Sequence, residues 1–265
     1  MLNEVPRLNI TLPRERISGI INTAVIACNE IVNFHFDALS SADLSQPIEA
    51  DARFRVRGPQ MTADDRRSLH ESWILAKAFQ DMLRAVRHSL EEAYLFVMLL
   101  TKTHRIKSES TLGEFIEPFK RKASALSFPK LFEAVNEKLD PRIEFSAAYV
   151  SMQTARNCLE HRAGIVTKIE THGKKDFEIN VPRVKAFYLR NGEEIELEPG
   201  HTIYPGDDRD EVQTFMKIEI RKRSFAIGER ITLTAAEFNE ISFACYFLGQ
   251  QLSSRLAKPQ TQTDA

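Results

Sequence analysis

The sequence predicts a mainly α-helical protein with a small antiparallel β insertion ahead of its last helix. Three observations point there. Apolar residues recur at three- and four-residue spacing over most of 14–163 and again over 234–256. Between 170 and 232 the spacing changes to alternation, as in Phe177, Ile179 and Val181. Asn191-Gly192, the strongest short hairpin signal in the chain, sits inside that alternating stretch.

The elements follow in order. Residues 14–38 carry Ile17, Ile20, Ile21, Ala24, Val25, Cys28, Ile31 and Val32, with Pro13 suited to a first helical turn. Residues 39–60 read as a loop, with a Gly58-Pro59 pair. A long helix is expected from about 62 to 104, opened by Asp64 and Asp65 near the positive end of the helix dipole. Its apolar pattern runs through Trp73, Leu75, Phe79, Met82, Leu83, Val86, Leu90, Tyr94, Val97 and Leu100. A helix over 111–126 starts at a Thr111/Glu114 capping box and is expected to be disturbed at Pro118. Another spans 129–139. Asp140-Pro141 reads as an N-cap and first-turn proline for a helix over 142–163, which Gly164 ends.

The β insertion is expected over 169–233, with strands at 177–181, 184–190, 193–198 and 212–223 and a last short strand at 231–233. Thr234 and Glu237 form a second capping box, ahead of a helix bearing Phe238, Ile241, Ala244, Cys245, Leu248 and Leu252. That helix needs apolar partners and is expected to return to the bundle. The helical part is therefore 1–168 with 234–257, and 258–265 reads as a disordered tail.

Composition narrows the function classes. The chain has 265 residues, is 43% hydrophobic and carries a formal net charge of −1, so no global basic field attracts nucleic acid. Cys28, Cys158 and Cys245 are odd in number and far apart, which argues against a disulfide framework or a zinc site and favours a reducing compartment. The opening MLNEVPRLNI is not signal-like, and the most apolar run, 93–100, is too short to cross a bilayer. A cytoplasmic protein without a membrane partner is expected. There is no P-loop, GxGxxG or GxSxG motif, so ATP, NAD and serine-hydrolase chemistry has no support, and no cofactor or metal is called for.

The chemistry-bearing stretch is ARNCLEHRAGIV, residues 155–166. Asn157 and His161 are four apart and share a helix face, so the amide could bond the imidazole. Arg156 and His161 are five apart, and on an ideal helix their directions differ by about 140°. They meet only if the arginine curls round, if the helix end distorts, or if a second copy supplies the missing half. Histidine suits proton transfer, and an arginine beside it suits the charge that builds on a phosphorane. A structural alternative stands beside this one: Arg156 and Glu160, four apart, have the spacing of a surface ion pair, and His161 would cap the helix end.

Arg156 to His161 resembles the R-x4-6-H motif of the HEPN superfamily, in which a polar residue such as asparagine follows the arginine. The continuation Arg162-Ala163-Gly164-Ile165-Val166 is similar as well. The resemblance covers about a dozen residues in an all-helical setting, and the 170–232 segment fits no pattern of that family. It implies a HEPN-like helical bundle that homodimerises, and a metal-independent endoribonuclease activity. His161 would act as general acid or base, Arg156 would stabilise the scissile phosphate, and Asn157 would orient or assist. The ribose 2′-hydroxyl would attack its own phosphate. Members of the family serve in toxin–antitoxin and antiphage systems, so an antitoxin or regulatory partner is implied too. Others are non-catalytic dimerisation or nucleotide- and protein-binding modules, which gives the alternative reading.

Arg162 and Lys168, with Lys174 and Lys175, form a candidate basic patch for RNA beside the motif, or else a solvated charged surface. His172 and His201 read as turn residues, and the Asp207, Asp208, Asp210, Glu211 cluster as a solvated acidic loop. His70, His88 and His104 share the long helix.

Overall fold

The computed structural model describes residues 14–45, 61–100, 111–197 and 213–256. His104, His201, the acidic cluster 207–211 and the tail 258–265 lie outside these residues. The elements run α1 (Arg14–Ser41), α2 (Ala63–Leu100), α3 (Leu112–Ala125), α4 (Phe128–Asn136), α5 (Ser146–His161), α6 (Lys168–Thr171), β1 (Asp176–Arg190), β2 (Glu193–Glu196), β3 (Thr214–Ala226) and α7 (Ala235–Arg255). The protein is mainly helical, with a three-stranded antiparallel sheet, order β2-β1-β3, before the last described helix.

The two long helices pair antiparallel. Arg67 donates to the Leu39 carbonyl at 2.8 Å, Cys28 to that of Ala78 at 3.6 Å, and Ser89 to that of Ile17. α7 returns as expected and lies antiparallel to α1: Ser242 donates to Asn29 at 3.4 Å, and Arg14 Nη1 donates to the Leu256 carbonyl at 3.0 Å. One stripe of α1, with Ile17, Ile21, Val25, Cys28 and Val32, is buried in these seams. Ile26, Ile31 and Phe34 face outward. Apolar side chains on both faces make α1 long and apolar enough to cross a membrane by length and composition.

α5 crosses the other side of α2. Its Tyr149 is fully buried, stacks on Phe132 of α4 at 6.0 Å and donates to the Ala244 carbonyl of α7 at 3.2 Å. Burial drives the phenol far above its ordinary range, so it stays protonated and keeps its proton for this hydrogen bond.

The sheet joins the same core. Phe177, Ile179 and Val181 on β1 and Phe225 on β3 belong to the apolar cluster that runs through the helices. The β1–β3 register puts Val181 opposite Arg221 and Arg183 opposite Glu219. Arg183 continues the inward row where an apolar residue would otherwise stand, and only 7% of it is exposed. Its guanidinium meets Glu196, Glu219 at 2.6 Å and Glu240 of α7 at 3.5 Å. Arg221 Nε lies 2.8 Å from Glu240, and Arg223 pairs with Glu237. The sheet therefore docks on α7 through apolar contact at one end and interlocked charge at the other.

Two capping boxes form where expected, at Thr111/Glu114 and Thr234/Glu237. Asn191 (φ 55°) and Gly192 (φ 81°) make the hairpin turn. Several expectations need correction. The strands expected at 177–181 and 184–190 are one strand, β1, paired with β3 straight through Pro182. α3 passes through Pro118 unbroken, because the carbonyl freed by the missing N–H belongs to solvent-exposed Glu114. α5 begins at Ser146, not 142: Asp140-Pro141 is a cis peptide in the preceding turn, and left-handed Phe145 (φ 58°) stands at the N-cap. Residues 231–233 form no strand; an isolated bridge joins Ile165 to Arg230 instead. Trp73, read as part of the apolar pattern of α2, is 61% exposed.

Candidate functional site

The site lies on the last two turns of α5. Ala163 (φ 50°) and Gly164 (φ 79°) end the helix in two successive left-handed residues, and the Gly164 amide donates to the Cys158 carbonyl at 3.1 Å. A side chain at 164 would meet Leu159 Cδ2 at 3.1 Å, so this exit suits glycine on both conformational and steric grounds. The turn fixes where His161 emerges.

Arg156 is largely sunk, with 15% of its side chain exposed, whereas that of His161 is 61% exposed. Arg156 Nη1 pairs with Glu160 Oε2 one turn on and donates to Asn157 Oδ1 at 3.1 Å. Gln153 Nε2 donates to the same amide oxygen at 2.9 Å. Asn157 thus spends its acceptor on Gln153 and Arg156 and braces the guanidinium. Arg156 Nε has no hydrogen-bond partner. His161 Nε2 lies 3.7 Å from Glu160 Oε2, the same oxygen that Arg156 holds. Arg156 and Glu160 thus form the i,i+4 ion pair that their spacing offered, and guanidinium and imidazole share one carboxylate oxygen between them.

Arg84 of α2 completes the cluster: its Nη2 lies 3.7 Å from Glu160 Oε1, and its Nη1 2.5 Å from Asp81. Nothing local in the sequence indicated Arg84. Its place depends on how α2 packs against α5, seventy residues further along the chain.

The candidate basic patch is divided. Arg162 turns away from His161 and pairs with Glu170, whose side chain is fully buried. Thr167 donates to that carboxylate from both its amide and its hydroxyl, each at 2.8 Å. Burial pulls the Glu170 carboxyl upward, but the Thr167 hydrogen bonds and Arg162 outweigh it and hold the group below the ordinary glutamate range. Arg162 is thereby committed to structure. Lys168 stays exposed at the first residue of α6. Cys158 is buried and donates to the Ile165 carbonyl at 3.2 Å, and burial raises its thiol. It fixes the helix exit and is a poor nucleophile. Among the described residues, no group of three or more His, Cys, Asp or Glu side chains could hold a metal.

Beside this cluster, a groove of about 360 Å³ separates α2 from the α5 exit and the 230–233 segment. Leu69, Trp73, Lys77 and Gln80 form one wall, and Leu159 and Ala163 belong to the other.

No family model, curated protein or solved structure matches the chain.

Proposed function

We propose that the chain is a HEPN-type, metal-independent endoribonuclease, acting as a homodimer in a toxin or antiphage role. The observation that supports this most is the convergence of Arg156 and His161 on Glu160 Oε2. That oxygen marks where a phosphate oxygen would sit once Glu160 swings aside. The ribose 2′-hydroxyl attacks the adjacent phosphorus, the P–O5′ bond breaks, and a 2′,3′-cyclic phosphate and a 5′-hydroxyl result. His161, exposed enough to reach substrate, takes the 2′-hydroxyl proton or delivers one to O5′. A second copy facing the site would supply the complementary proton transfer. Arg156 stabilises the charge on the phosphorane, and Asn157 holds Arg156 in place.

The second reading is a non-catalytic HEPN-like binding module. It draws on the same ion pair: with Glu160 in place, Arg156 is already neutralised.

Incubation of the purified protein with RNA in EDTA, with analysis of product ends, separates the two. Cleavage to cyclic-phosphate ends that falls about 100-fold or more in His161→Ala and in Arg156→Ala is the expected result. Absence of cleavage by the wild-type dimer, or equal cleavage by the two variants, sinks the catalytic reading.

A further inference from the structure

We infer that the groove between α2 and the α5 exit is a nucleobase slot, holding the base next to the scissile phosphate of single-stranded RNA. The inference rests on the ribonuclease reading and deepens it.

Trp73 is the only tryptophan in the chain, and it stands 61% exposed on α2, whose neighbouring Ile74, Leu75, Phe79 and Met82 are buried. Leu69, one turn earlier on the same face, is 53% exposed. Two adjacent turns of α2 therefore offer a flat apolar wall to solvent. Of the exposed large apolar side chains among the described residues, Leu69 and Trp73 are the two that line this groove. Across the groove stands the α5 exit, with Leu159 and Ala163. An aromatic face opposite an aliphatic wall is the setting in which a planar base stacks.

The polar groups suit the rest of a nucleotide. Lys77 follows Trp73 by one turn and shares Asp81 with Arg84, its ammonium 3.1 Å from that carboxylate, and Arg230 lines the opposite side, held by its hydrogen bond to the Ala163 carbonyl at 2.9 Å. A cation on each side of the groove answers a phosphodiester backbone running across it. The volume of about 360 Å³ is at the small end for ligand sites, and suits one base and its sugar. Position links the slot to the chemistry: Leu159 lies between Arg156 and His161 in sequence, and Ala163 is two residues beyond His161.

Because Trp73 is unique, its emission reports the slot directly. His161→Ala protein, which leaves RNA uncut, would be titrated with adenosine and uridine monophosphates and with a short single-stranded RNA. Saturable quenching is expected. Labelled-RNA anisotropy should show about ten-fold or greater weakening in Trp73→Ala, with most of the affinity restored in Trp73→Phe. Unquenched emission together with unchanged RNA affinity in Trp73→Ala overturns the slot. Emission that changes with protein concentration alone overturns it too, because a second copy would then cover the tryptophan. The two readings fail separately. RNA that quenches Trp73 but is never cut by the wild type leaves the slot standing and removes the nuclease. Cutting that Trp73→Ala performs as well as the wild type removes the slot alone.

Discussion

Arg156 and Glu160, one turn apart on α5, form an ion pair that occupies the position where a guanidinium and an imidazole meet. The carboxylate neutralises the arginine on one helix face and, under the proposed ribonuclease function, competes with an RNA phosphate for it. Glu160→Gln removes that competitor and keeps the shape. RNA affinity, read by anisotropy, should rise about five-fold, the equivalent of one partly exposed ion pair. Thermal stability should change little. Weaker binding in Glu160→Gln would show that the carboxylate positions Arg156 more than it blocks it.

Arg162 and Glu170 call for a different test, because Glu170 is withdrawn from water. Arg162→Met strands a buried carboxylate and should cost about 3 kcal/mol or more by urea unfolding. The wild type should also lose stability in acid. The Glu170 and Glu237 carboxyls are held low when folded despite burial, Glu170 by Thr167 and Arg162, Glu237 by Arg223 and Thr234. Their contribution is present above the unfolded glutamate value of about 4.3 and is lost as pH falls through the folded values. Glu240 runs the other way, since burial raises its carboxyl. Urea midpoints from pH 7 to 3 should therefore fall mainly below about pH 4.3, and less steeply in Glu170→Gln.

Arg183 faces Glu196, Glu219 and Glu240 from a buried position, and its pKa is raised by hydrogen bonds from its guanidinium to those carboxylates. Arg183→Met removes the central cation and leaves the three carboxylates to Arg221 and Lys217 alone, and should destabilise by about 2 kcal/mol at pH 7. The variant should become more stable as pH falls toward 5, because protonation relieves the repulsion. Arg183→Lys should recover only part of the loss, since one ammonium cannot reproduce the fork. An Arg183→Met protein as stable as the wild type at pH 7 would show that the cluster contributes nothing to docking the sheet.

Gly164 and Gly173 both have positive φ, 79° and 82°, but only at 164 would an added Cβ meet a neighbour. Gly173→Ala should cost about 1 kcal/mol, the conformational term alone. Gly164→Ala should cost more, because Leu159 must also move, and it should lower any activity that depends on where His161 emerges. Equal melting temperatures for the two variants would remove the steric argument.

The helices were legible because their signals are local. Apolar spacing, the Thr111/Glu114 and Thr234/Glu237 boxes and the Asn191-Gly192 turn each act within a few residues. Thr167-Lys168-Ile169-Glu170 is a capping box of the same kind and opens α6, yet with one helical turn behind it there was no periodicity to draw attention to it. The start of α5 was misplaced because a proline after an aspartate fits a turn as well as a helix N-terminus, and tertiary packing decides between them. Arg156, Asn157 and His161 could be singled out by motif. Their true partners could not: Arg84 reaches Glu160 from a distant helix, Gln153 displaces the imidazole as the neighbour of Asn157, and Arg162 belongs to Glu170. The outward turn of Trp73 was hidden for the same reason, since spacing shows that a helix has an apolar face but not how wide a neighbour covers it.

The hydrogen bond from Arg14 to the Leu256 carbonyl brings the head of α1 to the foot of α7 within the reach of one arginine side chain. The helices thus form a closed circuit, and the sheet is spliced into that circuit rather than hung from an end. A circularly permuted chain, its two ends joined by a glycine-serine linker and reopened between Asn191 and Gly192, would keep the described seams between helices and give up only the β2 hairpin.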